Sequence, residues 1–363
     1  MVMNLKVWEV PLQLVPNKIP RYPGGREIDR FRGKKECIDD GKPEAWVGST
    51  TRAINAENDE NLGLSEVILP TGEVMLLKNL IDKYPRQLLG DKHYDKFGNE
   101  TCILVKLLDA KNQLGLQSHP TREYAKKYFN SDFGKVESWY IIGVREDQDE
   151  PPYVLLGFKE GISREKFEEL YHQQDIKAME DLCHKIYVSP GEMYFVDAGV
   201  PHAVGPGCFL IEVQESSDIT VGVRKKTFDS KEKEREYNER LLGCYRYIGY
   251  SYEENINKYK VPPKVVRCEE GGTETVLLGQ DETPYFGVVE VEVKDQFALR
   301  DTGTFSIGIV TEGEGQIIYD GGVMDIKKSD EIFLPAGIKN PILKNKSSTS
   351  LRLVQAYPPE TIK

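Results

Sequence analysis

Short apolar runs separated by polar breaks recur along most of the chain, and they set the first expectation. Segments 102–108, 136–144, 153–158, 185–188, 193–196, 208–214 and 219–223 are each rich in β-branched or aromatic residues and bounded by Gly, Pro or Asp. That pattern predicts the strands of an all-β sandwich or barrel. Helical periodicity is rarer. Ser163-Arg164-Glu165-Lys166 opens as a capped helix, and Phe167, Leu170 and Tyr171 follow at helical spacing. A second helix is expected over about 175–183, with Ile176, Met179 and Leu182 on its apolar face. Together they make a helical insertion at about 163–184 in or beside the β pattern. The run of Lys, Glu and Arg at about 230–242 has few apolar positions before Leu241, so it reads as an exposed connecting helix.

Val261-Pro262-Pro263-Lys264 reads as a linker, dividing the chain into domains 1–260 and 261–363. An internal repeat supports the division. The segment from Glu192 to His202 aligns without gaps on the segment from Asp330 to Asn340, with the acid, the Phe and the Ala-Gly pair in register. The hairpin at Gly313-Glu314-Gly315-Gln316-Ile317-Ile318-Tyr319 completes a second copy of one β module. In that copy Asn340 stands where His202 was, and no His lies beyond position 202. A histidine-ligated metal is therefore expected in the first module alone.

A length of 363 residues exceeds what one hydrophobic core usually serves, in keeping with two modules. The net charge of -11 argues against nucleic acid or an anionic membrane as partner, since either favours a basic face. No apolar run approaches the roughly 20 residues of a membrane span, and the first residues show no signal-peptide pattern, so a cytoplasmic location is expected. Cys37, Cys102, Cys183, Cys208, Cys244 and Cys268 are dispersed without a Cys-x-x-Cys pair, which argues for reduced, mostly packed thiols.

The chemistry gathers at three places. Gln117 and His119 are two apart, so on an extended strand both side chains leave one face and can reach one ion. Alone, Gln-x-His is more often a polar strand end. Glu137 precedes the apolar run Trp139-Tyr140-Ile141-Ile142, where a carboxylate is costly unless paired or metal-bound; a surface salt bridge with Lys135 is the plainer alternative. His202 closes the turn Ala198-Gly199-Val200-Pro201, with Ala203 and Val204 after it. Jointly, a Gln, two His and a Glu suit a divalent metal with an open position.

Gln-x-His, Gly-Lys-x-Glu and Pro-His-Ala in this order resemble a cupin metal site, and more specifically that of the type I mannose-6-phosphate isomerase family. The family's Leu-Ser-x-Gln-x-His-Pro is similar to Leu114-Gly115-Leu116-Gln117-Ser118-His119-Pro120, and its Gly-Lys-x-Glu-x-Trp-Tyr to the segment from Gly134 to Tyr140. Its Glu-x-Trp-x-Gly-Thr/Ser resembles Glu44-Ala45-Trp46-Val47-Gly48-Ser49; its Lys-x-Leu-x-Ala strand resembles Lys106-Leu107-Leu108-Asp109-Ala110. Glu212-Val213 and Ser217-Asp218 match two further pairs, so the resemblance covers about 24–218, with a degenerate cupin tail that the family also carries.

The resemblance implies a mainly β fold of two cupin (jelly-roll) modules. It implies one Zn²⁺ on Gln117, His119, Glu137 and His202, active-site roles for Lys106, Lys135, Glu212 and Asp218, and a substrate border at Glu44, Trp46 and Ser49. Two positions depart from the family: its active-site arginine is Gly222 here and its motif serine is Gly115, both associated with holding the phosphosugar. Arg224, two residues past Gly222, shares its strand face if the strand continues and is expected to substitute; a solvated basic patch Arg224-Lys225-Lys226 is the equal alternative. His93, His172 and His184 are expected to be ordinary surface or boundary residues, and the Tyr-rich segment around Tyr245, Tyr247, Tyr250, Tyr252 and Tyr259 to pack between domains.

The function expected is a zinc-dependent aldose–ketose isomerase of carbohydrate metabolism. It would interconvert mannose 6-phosphate and fructose 6-phosphate, or a related hexose or hexose phosphate, through an enediolate. The alternative is a metal-containing sugar-binding or regulatory cupin without turnover. A cupin oxygenase is weaker, because Gln in place of a second His argues for a metal that is not redox-cycled. The partner is then a small sugar or sugar phosphate, with a monomer or homodimer as the assembly.

Overall fold

Strands Ile103–Asp109 and Cys208–Glu215 are buried along their whole length, which is why they read as continuous apolar runs rather than alternating ones. Each has one face toward its own module and the other toward the second module. Residues 6–54 and 59–362 are described by the computed structural model, and within them the fold is mainly β.

The first module's large sheet runs in the order Lys260–Val261, Met193–Val196, Glu137–Val144, Cys208–Glu215, Ile103–Asp109, Glu44–Val47, Lys18–Ile19. Its inner face presents Leu108, Trp139, Ile141 and Leu210 to Val154, Leu156, Ile186 and Val204 of a smaller sheet. That sheet runs Cys183–Tyr187, Tyr153–Lys159, His202–Val204, Gln117–Ser118, Val221–Gly222. By the two-residue period of a strand, Lys106, Glu137 and Glu212 fall on the same inner face as these apolar residues. Charge is thus built into the interior.

The second module repeats the arrangement. Glu331–Leu334, Ser306–Glu312, Leu351–Tyr357, Gly287–Val293, Gly272–Leu278 and Lys264–Glu269 follow one another as the corresponding strands of the first module do. Gln296–Ala298, Ile342–Asn345, Glu314–Tyr319 and Gly322–Lys327 form its smaller sheet. The repeat seen in the sequence is therefore a repeat of cupin topology. Asn340 is exposed and donates to Asp320 Oδ2 at 2.9 Å, away from any interior site.

One apolar cluster joins the modules: Val105, Leu107, Ile211 and Val213 on one side, Val288, Ile307, Ile309 and Val354 on the other. Fully burying a side chain of this size contributes roughly 1.5–3 kcal/mol, so separating the sheets is costly. The N-terminal chain stitches the same seam. Leu12–Leu14 pairs with Glu331–Leu334 and Glu66–Ile68, whereas Lys18–Ile19 pairs with Glu44–Val47. Beside it Arg32 Nη2 meets Glu331 Oε1 at 2.5 Å, with side chains only 8% and 1% exposed.

The predicted helices form as Arg164–Gln173, Ile176–Asp181 and Lys231–Leu242, capped by Ser163, Asp175 and Ser230. The expected strand 219–223 shrinks to Val221–Gly222. Helices Leu77–Lys83, Pro85–Leu89, Asp91–Phe97, Arg122–Phe129 and Tyr252–Tyr259 were not anticipated; only the last carries a plain sequence signal, the capping box of Ser251 and Glu254. Two histidines expected near the surface are buried instead. His93 Nε2 lies 2.7 Å from Glu100 O with its ring against Phe305, and His184 Nε2 lies 2.9 Å from Tyr250 O. Tyr245 and Tyr247 pack on Phe167 of the helical insertion rather than between modules, because their rings complete the cluster that the insertion buries. All six thiols are free, four of them buried, and among the described residues no helix is long and apolar enough to cross a membrane.

Removing one member of a buried ion pair leaves the other without compensation, at a cost of about 3–5 kcal/mol. Arg32→Met should therefore lower the urea unfolding midpoint substantially, and Arg32→Met with Glu331→Leu should recover most of the loss. A single variant as stable as the parent would show that the seam does not depend on this pair.

Candidate metal centre

Gln117 and His202 face each other across two strands of the smaller sheet, and Glu137 opens a strand of the larger one opposite Val196 and Gln214. The turn before His202 needs Gly199 at φ +84°, and Gly199 N donates to His119 O at 2.8 Å. These links bring side chains from positions far apart in sequence to one point between the sheets. His119, Glu137 and His202 offer ligand atoms that all lie within 4.8 Å of one another, and all three residues are buried.

The imidazole orientations are set from behind. His119 Nδ1 lies 2.9 Å from Ile219 O, and His202 Nδ1 lies 2.9 Å from Val200 O. Each carbonyl accepts the Nδ1 proton, which leaves a lone pair on each Nε2. Those two nitrogens are 3.1 Å apart. Glu137 Oε2 is 3.1 Å from His119 Nε2, Glu137 Oε1 is 3.4 Å from His202 Nε2, and the Gln117 amide is 3.4 Å from His202 Nε2. Converging lone pairs and a carboxylate repel unless a cation lies among them. Lys135 Nζ supplies part of that charge, 2.9 Å from His119 Nε2 and 2.8 Å from Glu137 Oε2.

Burial, aided by Lys135, pushes the His119 pKa down to about 3, and burial lowers that of His202. Both rings are neutral at pH 7. Burial alone would raise the Glu137 carboxyl, but the Lys135 ammonium beside it outweighs this and holds the group well below its ordinary range. Two neutral imidazoles, an ionised carboxylate and an amide make a donor set that fits a divalent zinc-like ion.

A second group of charges adjoins this one on the large sheet. Lys106 is opposite Glu212, Trp46 is opposite Lys106, and Glu212 is opposite Trp139. Lys106 Nζ reaches Glu212 Oε1 at 3.3 Å and Glu44 Oε2 at 4.0 Å; Lys135 Nζ is 3.6 Å from Glu212 Oε1. Burial raises the Glu212 pKa to about 7 against the pull of Lys106. Trp46 Nε1 donates to Glu44 Oε2 at 2.9 Å. At the rim Arg21 Nη2 meets Asp218 Oδ2 at 2.5 Å, and Ile54 N donates to the same oxygen at 2.8 Å.

A cavity of about 420 Å³ opens onto these groups. Of the expected site residues, Glu44, Lys106, Gln117, Lys135, Glu137, Glu212 and Asp218 line it, with His119 and His202 buried alongside. The remaining three lie outside the lining as well. Trp46 is fully buried with its indole N–H on Glu44, while Ser49 is spent on its own turn, donating to Thr51 O and accepting from Thr51 N. Arg224 is exposed and outside the lining, and its charge is felt by Glu180. The sequence reading missed Arg21 and Tyr22. Their signal was the Gly24-Gly25 pair that follows, where a Cβ on Gly24 would come within 2.3 Å of Asp109 O.

Comparison with known proteins gives a consistent relation. Residues 28–138 match the model of the phosphomannose isomerase type I catalytic domain, and 280–349 match the mannose-6-phosphate isomerase cupin domain. GmuF of Bacillus subtilis (strain 168) is 30% identical over 64% of this chain and 69% of its own length. The mannose-6-phosphate isomerase ManA of the same organism is 29% identical over 70% of this chain and 75% of its own. Among solved structures, a mannose 6-phosphate isomerase from Bacillus subtilis superposes with a TM-score of 0.75 at 21% identity, covering 96% of this chain and 99% of that one. A zinc-bound mannose 6-phosphate isomerase gives 0.72 at 16% identity, covering 96% and 99%. Sequence relatives, both domain models and the shared two-module fold agree: the chain belongs to the type I phosphomannose isomerase family of intramolecular oxidoreductases.

Proposed function

We propose that the chain is a zinc-dependent aldose–ketose isomerase. Its reaction would interconvert mannose and fructose at the level of the 6-phosphates, as its named relatives' substrate suggests, or of a related hexose pair. The observation that carries this reading is the convergence of two neutral imidazoles and the Glu137 carboxylate beside the buried Lys106–Glu212 pair, in one cavity. Gln117, His119, Glu137 and His202 would hold the ion, which when bound supplies Lewis-acid polarisation of a sugar oxygen.

The remaining roles belong to the chain's own side chains. Isomerisation moves a proton between C1 and C2 through an enediolate, so it needs one group that takes and returns the proton and others that stabilise developing negative charge. Glu212 suits the first task, because burial poises it near neutrality and it sits between two ammonium groups. Asp218 suits it less, being tied to Arg21 and Ile54 N. Lys106 and Lys135 would face the enediolate oxygens as fixed positive charge. Glu44, held by Trp46, would accept from sugar hydroxyls.

Zinc-loaded protein should convert a mannose-type aldose to its ketose and exchange the C2 proton with deuterated water. Binding with ligand-induced thermal stabilisation but no exchange would instead favour a sugar-binding cupin without turnover. Glu212→Gln should lower kcat/KM by about 10²–10⁴-fold and abolish an ascending limb in the pH profile. In the parent that limb falls at or below about pH 7, since a required base works only when deprotonated and added cationic charge can only lower its pKa. A Glu212→Gln variant with the parent's pH profile would remove Glu212 from the role.

The histidines also set an acid response. An unfolded histidine binds a proton near pH 6.5, whereas folded His119 does so only near 3. Between those values the unfolded chain holds the extra proton, so the metal-free protein loses stability as pH falls, by up to about 1.4 kcal/mol per pH unit for each such histidine. His119→Asn should flatten that slope between about pH 6 and 4 and weaken zinc binding by more than ~100-fold. Equal slopes in parent and variant, from urea titrations at several pH values, would contradict the assignment.

A further inference from the structure

Tyr22 lines the cavity, and its hydroxyl is buried without a hydrogen-bond partner among the described residues. A buried donor of this kind is costly to the fold unless a ligand satisfies it. Arg21 Nε beside it is a second buried donor without a hydrogen bond, 3.9 Å from Glu44 Oε2. The phenol keeps its proton. Burial first, then the charges of Glu44 and Glu212, hold its pKa well above the ordinary range, so Tyr22 is a donor at neutral pH.

The segment that carries Tyr22 is held on both sides. Arg21 N donates to Gly41 O at 3.0 Å, and Gly25 N and Glu27 N donate to Asp109 Oδ2 at 2.8 and 2.9 Å. Asp109 is itself fully buried and gripped by Arg145, from Nε at 2.8 Å and from Nη2 at 2.6 Å. Between these anchors Pro23 fixes one more backbone angle. Tyr22 is therefore presented to the cavity by a rigid backbone, as a preorganised binding group requires.

What the hydroxyl can meet follows from its neighbours. The two carboxylates whose charge reaches the phenol, Glu44 and Glu212, would repel a phosphoryl group at this spot. A neutral sugar hydroxyl suits it, because such a group can accept from Tyr22 while donating to a carboxylate oxygen. Glu44 offers that oxygen, its carboxylate already oriented by Trp46 Nε1 at 2.9 Å. Resting on the isomerase reading above, we propose that Tyr22 is a substrate-binding residue, its hydroxyl donating to a sugar hydroxyl that in turn donates to Glu44. The pair thereby fixes how the sugar chain lies against Glu212 and the metal ligands.

The test is Tyr22→Phe, which deletes the hydroxyl and keeps the ring, in the full-length, zinc-loaded protein with mannose 6-phosphate. A donor without a partner adds nothing to the fold, so the variant's urea midpoint should equal or exceed the parent's. Its kcat/KM should fall by at least about fivefold, with the loss in KM, as deletion of one neutral hydrogen bond to substrate requires. The ascending limb of the pH profile should stay where it is in the parent. A lower midpoint would mean that the fold uses the hydroxyl; a smaller loss, or one carried by kcat with a displaced limb, would mean that the sugar does not. Each of these overturns the proposal. If the parent neither converts the sugar nor exchanges its C2 proton, the isomerase reading fails instead. Calorimetric binding then decides the proposal, which stands if Tyr22→Phe weakens mannose 6-phosphate by at least about fivefold and falls otherwise, including when the parent binds no sugar.

Discussion

Four ionisable side chains, Lys106, Lys135, Glu137 and Glu212, are each no more than about 5% exposed inside the first module, and none is tolerable there alone. Removing a lone ammonium or carboxylate from water costs several kcal/mol even after relaxation. Each therefore depends on the others: Lys135 touches Glu137 and approaches Glu212, and Lys106 holds Glu212 from the other side. The strand register brings them together, because Lys106 and Glu212 are direct cross-strand neighbours and Glu137 opens the next strand. The cost of burying charge is offset by geometry that only the assembled sheet provides. The same arrangement leaves two imidazole lone pairs and a carboxylate converging on one point, so the structural constraint and the chemistry have one cause.

The second module shows what the fold requires when that constraint is lifted. Ser306 holds the register position of Glu137, opposite Leu334 as Glu137 is opposite Val196. Gln355 holds that of Glu212, opposite Gly308 as Glu212 is opposite Trp139. The two neutral residues satisfy each other, Gln355 Nε2 donating to Ser306 Oγ at 2.9 Å. Asn340, the counterpart of His202, has left the interior. Sheet order survives these exchanges because it depends on apolar faces and register. The charged cluster is thus a property of one copy's side chains, carried by a scaffold common to both.

The joined apolar faces of the two large sheets give the second module a role even without a site of its own. Val105, Leu107 and Ile211 lie directly behind the strands that carry Lys106 and Glu212, and they pack on Ile307, Ile309 and Val354. A site that must hold several buried charges at fixed separations needs a rigid backing. The N-terminal chain, paired to one module at Leu12–Leu14 and to the other at Lys18–Ile19, places Arg21 at the cavity rim as it crosses.

Local pattern carried much of this protein. Period-two alternation, β-branched runs and the Ala-Gly repeat are local properties, and they were enough for the β class, the duplicated module and the histidine asymmetry between the copies. Family motifs added the candidate ligands and the flanking lysines and acids. Helices such as Asp91–Phe97 escaped because a polar seven-residue segment has weak intrinsic preference, and burial of His93 against Phe305, distant in sequence, decided its state. Arg224 and Ser49 illustrate the same limit at the site. The place of Arg224 depends on how Val221–Gly222 pairs with Gln117–Ser118, and that of Ser49 on Ser65, whose Oγ accepts from Ser49 N at 2.9 Å, partners that no local window contains. Arg21 lies 197 positions from its partner Asp218, so only tertiary structure could join them. Sequence determined which charges this chain carries; long-range pairing decided which of them meet, and hence which remain to greet a substrate.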